Sequence, residues 1–324
     1  MKDSFAQEIA KVEEAIKGRE FENVFFVACG GSMAALMPGQ YFFDKEINIP
    51  SYVYNAGEFN TKKPAALGEK SLVITRSHSG NTPETVEATK YARSKGAMTI
   101  AISMLADSEL CQAAEYIITY DYGPEIKAVD GDYAAFWRLF FKIAYALSGN
   151  EKYQRGYDSI GKLQEAFDIN KKNTKETAFK FGSDLKREKI IYTIASGEYY
   201  SIAYSYSSCL LMEMLWINSN PIHAGEHFHG PFEIVDYDVP FLIIRGIGST
   251  RPLDDRVINF TKKFSDKVYV LDVADLDLSM FDEDLKEYFA VPVTSTVIRQ
   301  YADGLAEHTG HPLSVRRYMW KMEY

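Results

Sequence analysis

Short apolar runs alternate with helical segments along most of the chain, and this alternation constrains the fold more than any other feature. In the first half, the predicted strands are Val24–Ala28, Ser51–Tyr54, Leu72–Thr75, Met98–Ser103 and Tyr116–Tyr120. Helical patterns separate these strands, and an amphipathic helix over residues 4–18 precedes them. Short buried strands that alternate with helices predict an α/β fold with a doubly wound parallel sheet, which binds ligands at the carboxyl ends of its strands.

The second half repeats this pattern after a polar, lysine-rich stretch. Its predicted strands are Ile190–Ala195, Phe241–Arg245 and Val268–Leu271. A helix is predicted over Tyr199–Ile217. We therefore predict two tandem doubly wound parallel-sheet domains of flavodoxin-like type with flanking helices, over 1–150 and 189–324, and a helical connection over 151–188. Two unrelated α/β domains are the alternative to a repeat.

The composition is that of a soluble globular protein and limits the partners of the chain. Its 324 residues carry a net charge of −9 and show no basic run, which argues against nucleic acid as a partner. No apolar run approaches the roughly 20 residues that a membrane span needs, and no signal-peptide pattern is present. The three cysteines, Cys29, Cys111 and Cys209, are far apart, so we predict a reducing, cytoplasmic compartment without disulfides.

Three hydroxyl side chains and a glycine lie on one predicted strand-to-helix turn. Ser77, Ser79, Gly80 and Thr82 separate the third predicted strand from the helix that follows it. A helix N-terminus offers N–H groups and the positive end of a dipole to an anion, and hydroxyls add neutral donors. The turn therefore predicts a phosphate-binding loop. The alternative is a plain capping turn, because serine and threonine also cap helices.

This loop resembles the phosphosugar-binding loop of the sugar isomerase (SIS) domain family, whose pattern is Ser-x-Ser-Gly-x-Thr. The earlier turn at Cys29 is similar to the Cys-Gly-x-Ser sequence that ends the family's first strand. The resemblance implies no cofactor and no metal. It implies that the phosphate of the substrate is bound by Ser77, Ser79, Gly80 and Thr82, and that further substrate contacts come from Gly30, Gly31 and Ser32.

Half of the six histidines fall within one short segment, at His223, His227 and His229. Three interpretations are open from the residues alone. The histidines bind zinc, although no cysteine or second ligand cluster accompanies them. They lie in a solvated loop with no function of their own. Or one of them acts as a general acid or base, because the pKa of histidine lies near physiological pH.

The histidine segment also resembles a motif, Gly-Glu-x-x-His-Gly-Pro, of the isomerase half of glucosamine-6-phosphate synthase and of its smaller two-SIS relatives. The chain matches it with Glu226 and His229, and a glutamate sixteen residues before that histidine corresponds to Glu213. The resemblance implies that Glu213 is the catalytic base, that His229 opens the sugar ring from a neighbouring protomer, and that Glu226 contacts the substrate. A lysine near the C-terminus, here Lys321, is implied to approach the sugar. The active unit is then a homodimer or a higher oligomer with a shared active site.

Glu213 falls within the apolar segment Leu210–Trp216, which is an unusual place for a carboxylate. Buried carboxylates are costly unless they are paired or used, and desolvation raises their pKa. A raised pKa suits a base that transfers protons near neutral pH. The alternative is that Glu213 faces solvent on an amphipathic helix.

Four further segments resemble the bacterial fructosamine-6-phosphate deglycases: Tyr54–Phe59, Val239–Phe241, Val257–Phe260 and the C-terminal Arg316–Tyr324. The resemblance implies an enzyme that converts a fructosamine 6-phosphate, in which an amino acid is joined to C1 of the sugar, and water to glucose 6-phosphate and the free amino acid. Two other enzyme activities remain open, a glucosamine-6-phosphate deaminase and a phosphosugar aldose–ketose isomerase. A regulator that binds a phosphosugar without turnover is the non-enzymatic alternative.

The sequence leaves the amine part of the substrate open. Arg76, Arg316 and Arg317 are candidate ligands of an amino-acid carboxylate, because a guanidinium matches that group with two parallel hydrogen bonds. The alternative for all three is a surface charge.

Overall fold

Two parallel sheets, one in each half of the chain, organise the molecule. The computed structural model describes residues 3–319 and 321–323, with side chains from Phe5 onward. The chain divides into the units Met1–Gln164 and Glu165–Tyr324, and each unit contains one sheet. The predicted α/β class with two tandem parallel sheets is confirmed.

The first unit places a helix between consecutive strands. Its strands are β1 (Asn23–Ala28), β2 (Ser51–Asn55), β3 (Ser71–Arg76), β4 (Met98–Ser103) and β5 (Tyr116–Thr119). Its helices are α1 (Asp3–Ile16), α2 (Gly30–Glu46), α3 (Ala56–Lys62), α4 (Pro83–Ser94), α5 (Glu109–Ala113), α6 (Asp132–Ser148) and α7 (Glu151–Ser159). Every residue of β1, β3 and β4 is buried. Their continuous apolar sequences therefore reflect a sheet that helices cover on both faces.

The strands of the first sheet lie in the order β2-β1-β3-β4-β5, and all pairs are parallel. The order reverses beside β1, so a crevice forms at the carboxyl ends of β1 and β3. Side chains of β1 alternate between the two faces. Phe25 packs with Val73 and Ala88 on one face, and Phe26 packs edge-on against Phe43 and Phe140 on the other. Burial of each such ring contributes about 2–3 kcal/mol.

The N-terminal helix α1 belongs to the first unit, and its predicted apolar face is confirmed. Glu8 of this helix accepts hydrogen bonds from the backbone N–H of Thr119 at 2.7 Å and from its hydroxyl at 3.0 Å, which ties α1 to the end of β5. The buried side chains of the helix include Phe5, Ile9, Val12 and Ile16.

The second unit is smaller in strand number and repeats the arrangement. Its strands are β6 (Tyr192–Ala195), β7 (Pro221–His223), β8 (Phe241–Arg245) and β9 (Val268–Asp272). Its helices are α8 (Leu163–Leu185, which begins at the end of the first unit), α9 (Tyr200–Ser205), a π-helix (Tyr206–Leu215), α10 (Arg251–Phe264) and α11 (Lys286–Thr309). The strand order β7-β6-β8-β9 is parallel throughout and matches the first four strands of the other sheet. The topology thus repeats, as the sequence pattern predicts.

The helix predicted over Tyr199–Ile217 consists of more than one helix type. A short α-helix, α9, continues as the π-helix Tyr206–Leu215, in which hydrogen bonds link residues five apart. Trp216 ends it in the left-handed conformation with φ +59°, and its N–H donates to the carbonyl of Leu211. Apolar periodicity does not separate the two helix types, because both bury one face.

The long connection predicted between the domains contains two helices, α7 and α8, which are separated by a 3₁₀ turn at Ile160–Lys162. Within the described residues, we find no helix that is both long enough and apolar enough to cross a membrane.

Candidate functional site

The hydroxyl-rich turn and the glycine turn lie side by side in the first unit. β1 and β3 are neighbours in the sheet, and their last residues, Ala28 and Arg76, are partners in the register. The two turns that follow therefore begin at the same edge of the sheet, at the reversal of strand order. This is where open α/β sheets bind their ligands.

The hydroxyl groups of the turn face one another. The Oγ of Ser77 lies 2.8 Å from the Oγ1 of Thr82 and 3.5 Å from the Oγ of Ser79, and it accepts a hydrogen bond from the N–H of Gly80 at 3.0 Å. Thr82 is the N-cap residue of α4, but its hydroxyl makes no capping hydrogen bond. The arrangement differs from a plain capping turn, because its hydroxyls converge on one another instead of on the helix end. Converging neutral donors suit an anionic ligand.

Gly80 is required by the geometry of this turn. Its φ is +73°, and a Cβ atom built there would lie 2.1 Å from the Oγ of Ser108. Both the backbone conformation and the space exclude a larger residue. The N-cap Ser108 of α5 therefore packs directly under the hydroxyl turn.

The glycine turn after β1 opens α2, whose first residue is Gly30 with φ +52°. Gly30 and Gly31 are exposed, and Ser32 is half-buried. The carbonyl of Gly31 accepts a hydrogen bond from Arg76 at 3.4 Å. The turn thus presents backbone and a hydroxyl to solvent at the same sheet edge as the hydroxyl turn.

Arg76 is buried at this edge of the sheet and makes contacts within the fold. Only 6% of the residue is exposed, and its guanidinium pairs with Asp132 at 3.0 Å and bonds the Tyr120 hydroxyl at 3.3 Å. It joins the ends of β3 and β5 to the start of α6. The surface-charge alternative for Arg76 is therefore wrong, because the side chain is buried. Its Nε has no hydrogen-bond partner among the described residues, and its predicted role as a carboxylate ligand stays a prediction. Tyr120 also bonds His78 at 2.9 Å, and burial lowers the pKa of that histidine.

Glu213 lies on the π-helix of the second unit and is paired. Arg316 donates to its Oε1 from Nε at 2.9 Å, and the Nη2 of Arg316 lies 2.8 Å from the same oxygen in an ion pair. The Glu213 side chain is 23% exposed, whereas that of Arg316 is 8% exposed. Pairing is one of the two conditions that make a carboxylate tolerable in an apolar segment, and the half-buried side chain does not extend freely into solvent. The predicted role of Glu213 as the base stays a prediction. An arginine 103 residues away compensates its charge.

Glu213 and Arg316 open onto a cavity of about 520 Å³. The remaining lining residues are Met212, Trp216, Ile217, Asn218, Arg317, Tyr318 and Met319. The thiol of Cys209 lies one helical turn before Glu213, and burial, together with the Glu213 charge, raises its pKa to about 11. The cavity therefore combines one carboxylate, two guanidinium groups and an apolar surface.

Lys321 lies beyond this lining and is exposed. Its ammonium donates a hydrogen bond to the backbone carbonyl of Arg316. In this arrangement, Lys321 holds the C-terminal tail next to the arginine that pairs with Glu213. The predicted approach of Lys321 to the sugar stays a prediction.

The three clustered histidines do not converge. His227 is fully buried against Phe228 and Phe260, and burial lowers its pKa to about 4. The Nδ1 of His223 accepts a hydrogen bond from the N–H of Gly225 at 3.1 Å. In the described part of the chain, no three histidine, cysteine or acidic side chains group together as metal ligands would. The zinc interpretation therefore has no supporting geometry.

Glu226 and His229 are exposed on the turn that follows β7. Neither residue is part of the lining of the cavity that holds Glu213. One chain thus brings Ser77, Ser79, Gly80 and Thr82 together, and separately brings Glu213 to Arg316. It leaves His229 pointing to solvent, where another molecule can approach it.

Sequence reasoning missed two features of this site. The partner of Glu213 was not predicted, although Arg316 was considered as a ligand of a substrate carboxylate. The contribution of Trp216 to the cavity was also missed. The adjacent arginines near the C-terminus were the only available signal, and they do not indicate which carboxylate each would meet.

The repeated parallel sheets and the hydroxyl turn at a reversal of strand order define the class of protein. The model of the SIS domain matches residues 19–142. The chain belongs to the SIS-domain family.

Individual relatives resemble the chain over most of its length. It is 47% identical over 319 residues to the fructosamine deglycase FrlB of Bacillus subtilis, with 98% of this chain and 97% of the relative covered. It is 30% identical over 275 residues to the fructoselysine 6-phosphate deglycase of Escherichia coli, with 82% and 77% covered. A crystal structure of a Bacillus subtilis protein with an inferred assignment as a phosphosugar isomerase has a TM-score of 0.95 and 47% identity, with 98% and 97% covered.

Proposed function

We propose that this protein is a deglycase that converts a fructosamine 6-phosphate and water to glucose 6-phosphate and a free amino acid. The observation that carries the proposal is the carboxylate of Glu213, which is paired with Arg316 at a cavity. The likeness to the fructosamine deglycase over 98% of the chain supports the same reaction.

The phosphate of the substrate binds at the hydroxyl turn in this proposal. Ser77, Ser79 and Thr82 donate hydrogen bonds to its oxygens, and the N-terminus of α4 adds the positive end of its dipole. Gly80 allows the left-handed backbone of this turn and its close packing on Ser108. Gly30, Gly31 and Ser32 contact the sugar from the neighbouring turn.

Glu213 transfers the proton that the reaction needs. Its carboxylate removes a proton from C1 of the ketosamine while the C2 carbonyl oxygen takes up a proton from solvent, which forms an enaminol. Glu213 then returns its proton to C2, which leaves a protonated imine at C1. Water adds to the imine carbon, and the C–N bond breaks to release the amine and the C1 aldehyde of glucose 6-phosphate. Arg316 compensates the charge of this carboxylate and holds it in place for the proton transfer.

His229 opens the sugar ring by moving protons between the ring oxygen and the hydroxyl group in this proposal. Its exposed position on a turn supports a role in the active site of a neighbouring protomer, and hence a homodimer or a higher oligomer. Glu226 on the same turn contacts the substrate, and Lys321 supports the C-terminal tail at the sugar.

We also propose a cytoplasmic location and no nucleic-acid partner. The three cysteines are free, as expected of a reducing compartment. The net charge of −9 disfavours a polyanionic partner.

The test offers fructose 6-phosphate adducts of several amino acids and glucosamine 6-phosphate to the purified protein. We expect glucose 6-phosphate and free amino acid from the adducts alone. Ammonia and fructose 6-phosphate from glucosamine 6-phosphate would instead establish a deaminase. Turnover of none of these compounds, with binding retained, would establish a regulator.

Glu213→Gln supplies the matched test of mechanism. It keeps the shape of the side chain and removes the base, so we expect at least a ~10³-fold lower kcat with substrate binding retained. Glu176→Gln, at an exposed position on α8, is the control and should keep its activity. An active Glu213→Gln enzyme would exclude Glu213 as the base.

A further inference from the structure

We propose that Arg317, stacked on Trp216, binds the carboxylate of the amino acid in the substrate. The inference rests on the proposed deglycase function and deepens it, because it assigns the residue that recognises the amine part. The assignment depends on the different surroundings of the adjacent residues Arg316 and Arg317.

All three guanidinium nitrogens of Arg316 already contact groups of the chain itself. Its Nε and Nη2 are bonded to Glu213, and its Nη1 donates to the carbonyls of Leu313 at 2.7 Å and Val315 at 3.0 Å. The side chain is almost fully buried. A second carboxylate at Arg316 would have to displace Glu213, which the reaction requires.

Arg317 is placed differently, although it lines the same cavity. Its guanidinium carbon lies 4.1 Å from the centre of the Trp216 ring, and the residue is exposed. Among the residues that the structure describes, no acidic side chain forms an ion pair with Arg317. Stacking uses the face of the guanidinium and leaves its N–H edge for a planar anion, which binds through two parallel hydrogen bonds.

The charge of the cavity favours the same ligand. Glu213 is the one acidic residue in the lining described above, and Arg316 compensates it. Arg317 therefore contributes the excess positive charge. A carboxylate neutralises that charge, whereas the ammonium group of a simple amine does not.

Trp216 fixes the position of the arginine. Its left-handed backbone ends the π-helix, and its ring packs against His311 with 4.4 Å between ring centres. The indole thus contacts both His311 and Arg317, and the contact with Arg317 restricts the rotamers of the guanidinium. A guanidinium that is already oriented loses less conformational entropy when it binds a carboxylate.

A matched pair of substrates separates recognition of the carboxylate from general effects on the fold. The fructose 6-phosphate adducts of glycine and of methylamine differ only in the carboxylate. In wild-type enzyme, we expect a 10- to 100-fold higher kcat/KM for the glycine adduct, which is the usual range for one charge-assisted hydrogen-bonded contact.

Arg317→Gln should lose this preference. We expect kcat/KM for the glycine adduct to fall 10- to 100-fold, mainly through KM, and that for the methylamine adduct to change less than about threefold. Arg317→Lys, which keeps the charge and lacks the planar fork, should recover part of the loss. Arg299→Gln, at an exposed arginine on α11, is the control and should behave as wild type.

Two results would overturn the assignment. One is an equal loss for both adducts in Arg317→Gln, because that shows a structural effect without recognition of the carboxylate. The other is the absence of any preference in the wild type. Calorimetry of both adducts with Glu213→Gln measures carboxylate recognition without turnover. It therefore distinguishes a missing role of Arg317 from failure of the proposed function. A glycine preference in binding without turnover of either adduct in wild type supports the role of Arg317 and overturns the deglycase.

Discussion

The turns that follow β3 and β8 occupy equivalent places in the two sheets, but they differ in whether an external anion can enter. Both middle strands end in an arginine, Arg76 and Arg245, and both turns lead through a threonine N-cap into a helix with proline in its first turn. In the first unit, hydroxyl groups converge and Ser79 is exposed. In the second unit, a carboxylate of the chain itself fills the turn.

That carboxylate is Asp254, which lies four residues after the N-cap Thr250. It is fully buried, and it accepts hydrogen bonds from the hydroxyl of Ser196 at 2.7 Å and from the N–H of Gly246 at 3.0 Å. The position four residues after the N-cap Thr82 is Val86, which offers no charge. One residue on the first turn of a helix thus decides whether the loop in front of it is available to an external anion.

The largest expected effect comes from closing the open turn with a single methyl group. Gly80→Ala forces a left-handed conformation on alanine and places its Cβ against Ser108, so the free energy of unfolding should fall by about 3 kcal/mol. Urea unfolding measures this change. Gly68→Ala is the control, because a Cβ there meets no atom within 4 Å. Similar losses in both variants would contradict the assigned geometry.

The two N-cap threonines give a matched comparison of the turns. Thr82→Val removes a hydroxyl that lies 2.8 Å from Ser77, and phosphosugar affinity should fall 10- to 100-fold by calorimetry. In Thr250→Val the affinity should not change, because the buried Oγ1 of Thr250 has no hydrogen-bond partner among the described residues. Equal effects of the two substitutions would remove the distinction between an open and a filled turn.

The smallest expected effect is a pH dependence of the unfolding free energy, which Asp254 in the filled turn causes. Burial raises the pKa of Asp254 from 3.8 to about 6. Because the folded pKa exceeds the unfolded one, Asp254 adds stability at low pH and loses it as the pH rises through about 6. Relative to Asp254→Asn, the wild type should lose about 1.4 kcal/mol of unfolding free energy between pH 5 and pH 7.5. Urea titrations at several pH values measure this difference, and a constant difference would contradict the shift.

The repeated topology and the hydroxyl turn could be predicted from sequence, because both depend on local patterns. Continuous apolar runs indicate strands that are buried on both faces, and Ser77 to Thr82 form one short motif between a strand and a helix. The chain order of these elements then determines which strand ends lie together. Local patterns of this kind can be recognised in the sequence without knowledge of distant contacts.

The surroundings of Glu213 and Arg76 could not be predicted in the same way. Arg316 meets Glu213 across 103 residues, and Arg76 meets Asp132 across 56. No local pattern encodes either ion pair, since each depends on where a distant helix or tail packs. For the same reason, sequence alone could not decide which of Arg316 and Arg317 keeps its donors available.

The π-helix that carries Glu213 affects how this segment can change in length. A π-helix holds one residue more per hydrogen-bonded ring than an α-helix does. Deletion of one residue from Tyr206–Leu215 would remove one wide hydrogen-bonded ring and shift the residues beyond it by one position around the helix axis. Glu213 would then rotate away from Arg316 while β6 and β7 kept their places. An alignment gap of one residue in this segment therefore marks relatives in which the glutamate has a different orientation, even where the residue itself is present.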